Sequence, residues 1–433
     1  MPGKNYLSFI DPSKSPFFYG YVVLIIGTVG VYCSIPGQTI GVSVFTDPVK
    51  DALGLSRNQF SNAYMIGTIC SALVIGRAGR WFDVYGARWV AFFAAIALAF
   101  ALVLCSVSMQ ISQVIKSFLD QDSWLIPFVV MTLLFFLLRF SGQGVLTMAS
   151  RNMVMIWFDK NRGKVNAISS IAVSFGFSSA PLWLNFLIED YSWEFAWQAL
   201  ACVLFVFAAL VLQFYKNKPE DYGLVPDGFS KKVAAEATSP VAKQYTLKEA
   251  QATRAFWMFG LILTFNSFFS TGLTFHVVSI FASEGFPKED PISIFLPASV
   301  VAVTVSLIFN FLSDYLQLKL YLYLMIFGGL IASVGFLFLS STIGVPFLII
   351  GFGIMSGFFG VLNAILWPRY YGRLHLGAIT GKIMSFLILA SALAPPVFSF
   401  CFSTFESYQL LGYLGLAFLL FLVLTSIRAN NPQ

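Results

Sequence analysis

The chain has 433 residues, 58% of them hydrophobic, 17% aromatic and only 11% charged, with a mean hydropathy of +0.80. A soluble domain carries roughly a quarter charged residues, so that class is excluded, and apolar runs near the ~20 residues that cross a bilayer recur from end to end. The net charge of +6 then marks basic loops, not a nucleic-acid partner.

A polar stretch holding Lys4 and Lys14 precedes the first apolar run, and no small-residue cleavage site follows that run. No cleaved signal peptide is expected. In chain order the spans fall near 18–42, 58–78, 88–109, 124–148, 165–188 and 193–215, then 255–281, 292–313, 320–341, 345–368, 377–400 and 408–427. One long polar segment, rich in Pro, Gly and charge, separates the sixth span from the seventh. The expectation is an all-α membrane protein of twelve helices: a six-helix bundle over 1–215, a cytoplasmic linker over 216–253, and a second bundle over 254–433.

The five cysteines (Cys33, Cys70, Cys105, Cys202, Cys401) all fall inside apolar runs and read as small hydrophobes. The two histidines are far apart, and no metal-ligand spacing, catalytic constellation or cofactor motif is present. An enzyme, a metal and a cofactor are not expected. With the N-terminus inside, 20 of the 26 Lys and Arg fall in cytoplasmic segments and 4 (Lys50, Arg57, Lys116, Lys288) in outer loops. That bias places both termini in the cytoplasm.

The two halves repeat each other. Gly163 precedes Ala180-Pro181 as Gly377 precedes Ala394-Pro395, with Gly and Pro 18 apart in both. "GRWFDVYGAR", with Asp83, follows the second span, and "NFLSDYLQLK", with Asp314, follows the eighth. Such repeats suit a transporter built from two related bundles around a midplane site. The first of these stretches, through Gly79, Asp83, Gly86 and Arg88, resembles the loop motif of the major facilitator superfamily, with Val84 and Ala87 where basic residues are usual. Arg139 with Gly142 and Gly144 resembles its fourth-helix motif. "FYGYVVLIIG", "PEDYGLVPDG", "GLTFHVVSIFA" and "WPRYYGRLHLGAITG" resemble bacterial relatives of the monocarboxylate transporters and the oxalate/formate antiporter. The acidic residue that monocarboxylate transporters carry before the first helix is absent here. So is the eighth-helix arginine of both relatives. The resemblance implies two pseudo-symmetric bundles whose spans 1, 4, 7 and 10 line a cavity, and an inward gate at Gly79, Asp83, Gly86, Arg88 and Asp314.

The residues themselves offer a site. Arg139 lies near the middle of the fourth span, where a guanidinium is costly unless it faces protein or water. Thr132, Gln143 and Ser150 share its face at helical period. Either a substrate contact or a strut to neighbouring carbonyls accounts for it. Comparable stripes are Tyr21, Thr28, Tyr32 and Thr39 with Gln38 on the first span, Asn266 and Ser270 on the seventh, and Ser356, Gly360, Asn363 and Trp367 on the tenth. Helix packing through small and hydroxylated residues would also produce them. Lys382, at the start of the eleventh span, either snorkels to headgroups or meets a carboxylate. All 20 acidic residues lie in loops or at helix ends. Coupling, where present, would use His276, Asp47 or the substrate's own titration.

The expected function is a monomeric alternating-access carrier in the bacterial inner membrane. It would move a small mono- or dicarboxylate, by proton symport or anion exchange. A larger amphipathic solute (vitamin, siderophore or drug) is the alternative cargo. A non-transporting receptor or scaffold is the alternative of another class.

Overall fold

A computed structural model describes residues 10–228, 243–286 and 294–433. Lys4, Lys231, Lys232 and Lys288 of the charge count lie outside the described residues, as does part of the linker. Among the described residues every regular element is helical. Ten helices among the described residues are long and apolar enough to cross a membrane, and Gly20–Cys33 is a shorter apolar helix.

The first span is not one helix. Helix α1 (Gly20–Cys33) stops, Ile35–Gly37 forms a single tight turn, and Gln38 is extended before α2 (Thr39–Ser43) resumes. Pro36 has no N–H to give and Gly37 allows close backbone approach, so a break here is the low-cost outcome. The stripe expected from Tyr21 to Thr39 therefore does not continue as one helical face past Tyr32. After α3 (Thr46–Ala52), α4 (Arg57–Ser106) runs for 50 residues. A straight helix of that length would be ~75 Å long, more than twice a hydrocarbon core. Gly86, at φ +79 and ψ 169, breaks it near the middle. The short helix α5 (Ser108–Leu119) follows where a loop was expected.

Helix α6 (Leu125–Trp157) has 33 residues and contains a wide, π-type segment over Arg139–Leu146. That segment holds one more residue than regular winding would, which turns the faces on either side of it by about 100°. Thr132 is thereby taken off the face of Gln143 and Ser150, a correction to the expected stripe. The wide turn lies against the break in the first span: a Cβ on Gly142 would sit 2.8 Å from the Cα of Gly37. Helices α7 (Arg162–Asp190) and α8 (Trp193–Phe214) complete the first half. The second half has α9 (Leu247–Ala252), α10 (Arg254–Ser283), α11 (Phe295–Leu312), α12 (Leu318–Leu337), α13 (Gly344–Tyr371), α14 (Leu376–Phe405) and α15 (Gln409–Thr425).

The chain divides into two compact units. One contains Met1–Asp159, Ser169–Ser239 and His375–Ser385. Its core forms where α4 packs on α6 and α8, with Phe45 stacked on Trp197 at 4.7 Å. The other contains Lys160–Ile168, Pro240–Leu374 and Phe386–Gln433. There α13 packs on α11 and α12, around Phe309, Tyr321 and Phe358. The first turns of α14 thus belong with α4, and those of α7 with α11.

Candidate functional site

In the first unit, the break between α1 and α2 leaves polar backbone at membrane depth, which is tolerated only where protein or water satisfies it. Arg139 does so. Its Nη1 donates to the Gly37 carbonyl at 3.1 Å and to Thr39 Oγ1 at 3.3 Å. Tyr64 donates to the same Thr39 hydroxyl at 3.0 Å, and the Tyr64 ring centroid lies 5.2 Å from the guanidinium carbon. Arg139 is 1% exposed and its Nε has no partner. Each of these acceptors is neutral, so the charge is braced but not balanced. Beside it, Gln38 Nε2 donates to Ser34 Oγ and Thr147 Oγ1, both at 3.1 Å, and Thr147 donates to Ser34 at 2.9 Å. Gln143, in the wide turn, holds a buried Oε1 with no partner.

Two expected members stand apart from this cluster. The Thr132 hydroxyl is satisfied by the Phe128 carbonyl of its own helix at 2.8 Å. Tyr32 lies over Gly176 of α7, where a Cβ would strike its ring. Lys382 is half-buried in the second turn of α14.

In the second unit, Asn266 is 5% exposed with its Oδ1 unpartnered, and Asn363 is half-buried on α13. Trp367 is fully buried among Phe256 and Tyr371, at ring distances of 5.7 and 6.2 Å. Its indole N–H has no partner. His276 Nε2 donates to the Pro395 carbonyl at 3.0 Å, and its ring stacks on Phe398. Pro395 and Pro396 lack the N–H groups that would close two turns of α14. Ser267, Thr271 and His276 of α10 brace that stretch through Leu387, Ser391 and Pro395. Asp47 is on the surface, bonded to Arg57 at 2.8 Å and to Lys50 at 3.4 Å. The Arg57 hydrogen bond holds its carboxyl below the usual carboxylate range.

The repeated acidic motifs make equivalent clamps. Asp83 accepts from the backbone N–H of Gly377 at 2.6 Å and of Ala378 at 2.7 Å, capping the start of α14. Asp314 accepts from Gly163 N–H at 3.1 Å at the start of α7. Helix N-termini carry unsatisfied donors and partial positive charge, so a carboxylate suits both places. Gly79 stands four residues before Asp83 and admits the Gly377 carbonyl where a Cβ would block it. Asn310 stands four before Asp314 and bonds Asn166 at 2.8 Å. Burial pushes the Asp314 carboxyl above its usual range, against the pull of the Gly163 N–H. Arg88 is 2% exposed; its backbone N–H donates to Asn217, which also packs on Gly86, and its guanidinium has no hydrogen bond.

Sequence reasoning missed Asn152, which donates to Thr380 at 2.7 Å, and placed Arg151 in a loop, whereas it lies well inside α6. A span limited to about 25 residues ends before either. The length of α6 comes from packing, which apolar periodicity does not report.

The family model described as Major Facilitator Superfamily matches residues 24–395. No curated protein matches the sequence significantly. Several solved structures share the fold. The human organic anion transporter MFSD10 (TETRAN) is 14% identical with TM-score 0.60, over 96% of this chain and 100% of that one. The E. coli fucose:proton symporter FucP is 14% identical with TM-score 0.61, over 95% and 98%. A bacterial homologue of the iron transporter ferroportin, in an outward-facing state, is 16% identical with TM-score 0.64, over 94% and 99%.

Proposed function

We propose, from the premise that the chain belongs to the Major Facilitator Superfamily, that its cargo is a small organic anion bearing one or two carboxylates. As a member it is a multi-pass secondary transporter, not an enzyme. The observation that carries the anion reading is Arg139: a guanidinium 1% exposed, held by neutral acceptors only. A buried cation without a counter-charge is strongly disfavoured and is relieved by an incoming anion. MFSD10 is described as an organic anion transporter, which agrees, although sugar and iron transporters share the fold equally well.

The finer architecture we propose is twelve crossings. Counting α1 with α2 as one, and α4 as two crossings split at Gly86, brings the ten long helices to that number. The halves would be 1–215 and 254–433, joined by 216–253, with the termini cytoplasmic because lysine and arginine concentrate there. The Asp83 and Asp314 clamps then lie on the cytoplasmic side, as a gate that must release for alternating access. Coupling would fall to His276, whose proton now holds Pro395, or to titration of the solute itself.

Binding tests the cargo. Purified protein titrated with oxalate, succinate, lactate and acetate should melt higher with at least one of them. At ~100 Kd the gain is ~2.7 kcal/mol. A hexose or ferrous iron should leave the melting temperature unchanged. Stabilisation by the hexose alone would refute the anion reading.

A further inference from the structure

The half of α6 that follows the wide turn is enclosed. From Gly144 to Phe158 every residue is buried except one, and that one is Arg151. Trp157 and Phe158, 0% and 2% exposed, cover the helix end, so the guanidinium has no open route to the interface along its own helix. Its neighbours in sequence are both committed. Ser150 bonds Tyr215 at 2.7 Å and packs beside Gly27 and Gly30 of α1. Asn152 bonds Thr380 of α14 at 2.7 Å. At 100° per residue Arg151 points about 100° from each of these faces, into the gap between them. Among the described residues no hydrogen bond, ion pair or ring contact reaches it.

A half-buried cation with no partner costs free energy in the empty protein. Here the single opening in a closed stretch of helix leads to that cation. We propose that Arg151 is a second anion-binding residue, taking the carboxylate of the same solute on the cytoplasmic side of Arg139. This inference rests on the anion reading given above. Twelve residues separate the two arginines along α6, roughly 18 Å. A small mono- or dicarboxylate cannot span that distance, so the two act in succession, Arg139 before release and Arg151 at release during import, or the reverse during export.

The test uses full-length purified protein, with oxalate and succinate as probes against chloride of equal ionic strength. Arg151→Met should melt at a higher temperature than wild type in chloride, because an unpaired charge has been removed. Its apparent affinity for whichever probe stabilises wild type should fall at least about tenfold, with Arg151→Lys between the two. Unchanged carboxylate affinity in Arg151→Met, with affinity lost in Arg139→Met, would overturn this site and leave the anion reading standing. A lower melting temperature for Arg151→Met in chloride would also overturn it, since the charge would then be paired. If neither probe nor any other carboxylate stabilised wild type, the anion reading itself would fail, and this site with it.

Discussion

Arg139→Lys is expected to keep the fold and lose the cargo. Lysine can still place one donor near the Gly37 carbonyl, the bond that pins the break between α1 and α2. The melting temperature should therefore fall by no more than ~1 kcal/mol equivalent. What lysine lacks is the planar fork that holds a carboxylate through two bonds. Loss of one charge-assisted bond costs ~1.5–3 kcal/mol, so carboxylate affinity should drop by about tenfold or more. Arg139→Ala should fail in both respects. It strands the Gly37 carbonyl and the Thr39 hydroxyl and leaves a void, with a stability loss on the order of 3–5 kcal/mol. Affinity and melting temperature measured on the same variants separate a residue that only braces from one that also binds. A lysine variant with unchanged carboxylate affinity would reduce Arg139 to a brace.

Asp83→Asn is expected to loosen the start of α14. The carboxylate now accepts two backbone N–H groups, at 2.6 and 2.7 Å. An amide of the same shape can accept from one and must turn its own donor toward the other. Charge-assisted bonds contribute ~1.5–3 kcal/mol each, so a loss of about 2–3 kcal/mol shifts the clamped population roughly 30- to 150-fold. A cysteine at Ala378, which is buried in the clamp, reports the release. In inside-out vesicles it should react faster with an impermeant thiol reagent when Asp83 is Asn. Equal rates would show that the clamp does not gate. Reaction from the outside of intact cells would invert the proposed orientation.

The clamps were legible in the sequence because short motifs repeated between the halves mark their parts, although the partners lie 294 and 151 residues apart. An acidic residue after each second span of a half, a glycine at each partner helix, and a fixed 18-residue interval to Pro181 and Pro395 are all visible in one dimension. The break in the first span carried a signal that the span length concealed: Pro36-Gly37 inside an apolar run is a stop for a helix. The wide turn of α6 carried none. It places Gly142 against Gly37 across two helices, a contact that no repeated motif marks. Once that turn shifts the register, Thr132 leaves the face of Gln143 and Ser150, and its hydroxyl bonds its own helix. The surroundings of Trp367 were hidden for a related reason. Spacing put it on the polar face of α13, but Phe256 and Tyr371 enclose it, and periodicity does not register aromatic neighbours on other elements.

Counterflow into proteoliposomes tests the central claim most directly. Vesicles containing purified protein would be loaded with the unlabelled carboxylate that stabilises it, and uptake of the labelled form followed. The account predicts saturable accumulation that is lost in Arg139→Lys and is not competed by a neutral hexose. Saturable counterflow of the hexose, undiminished in Arg139→Lys, would contradict it.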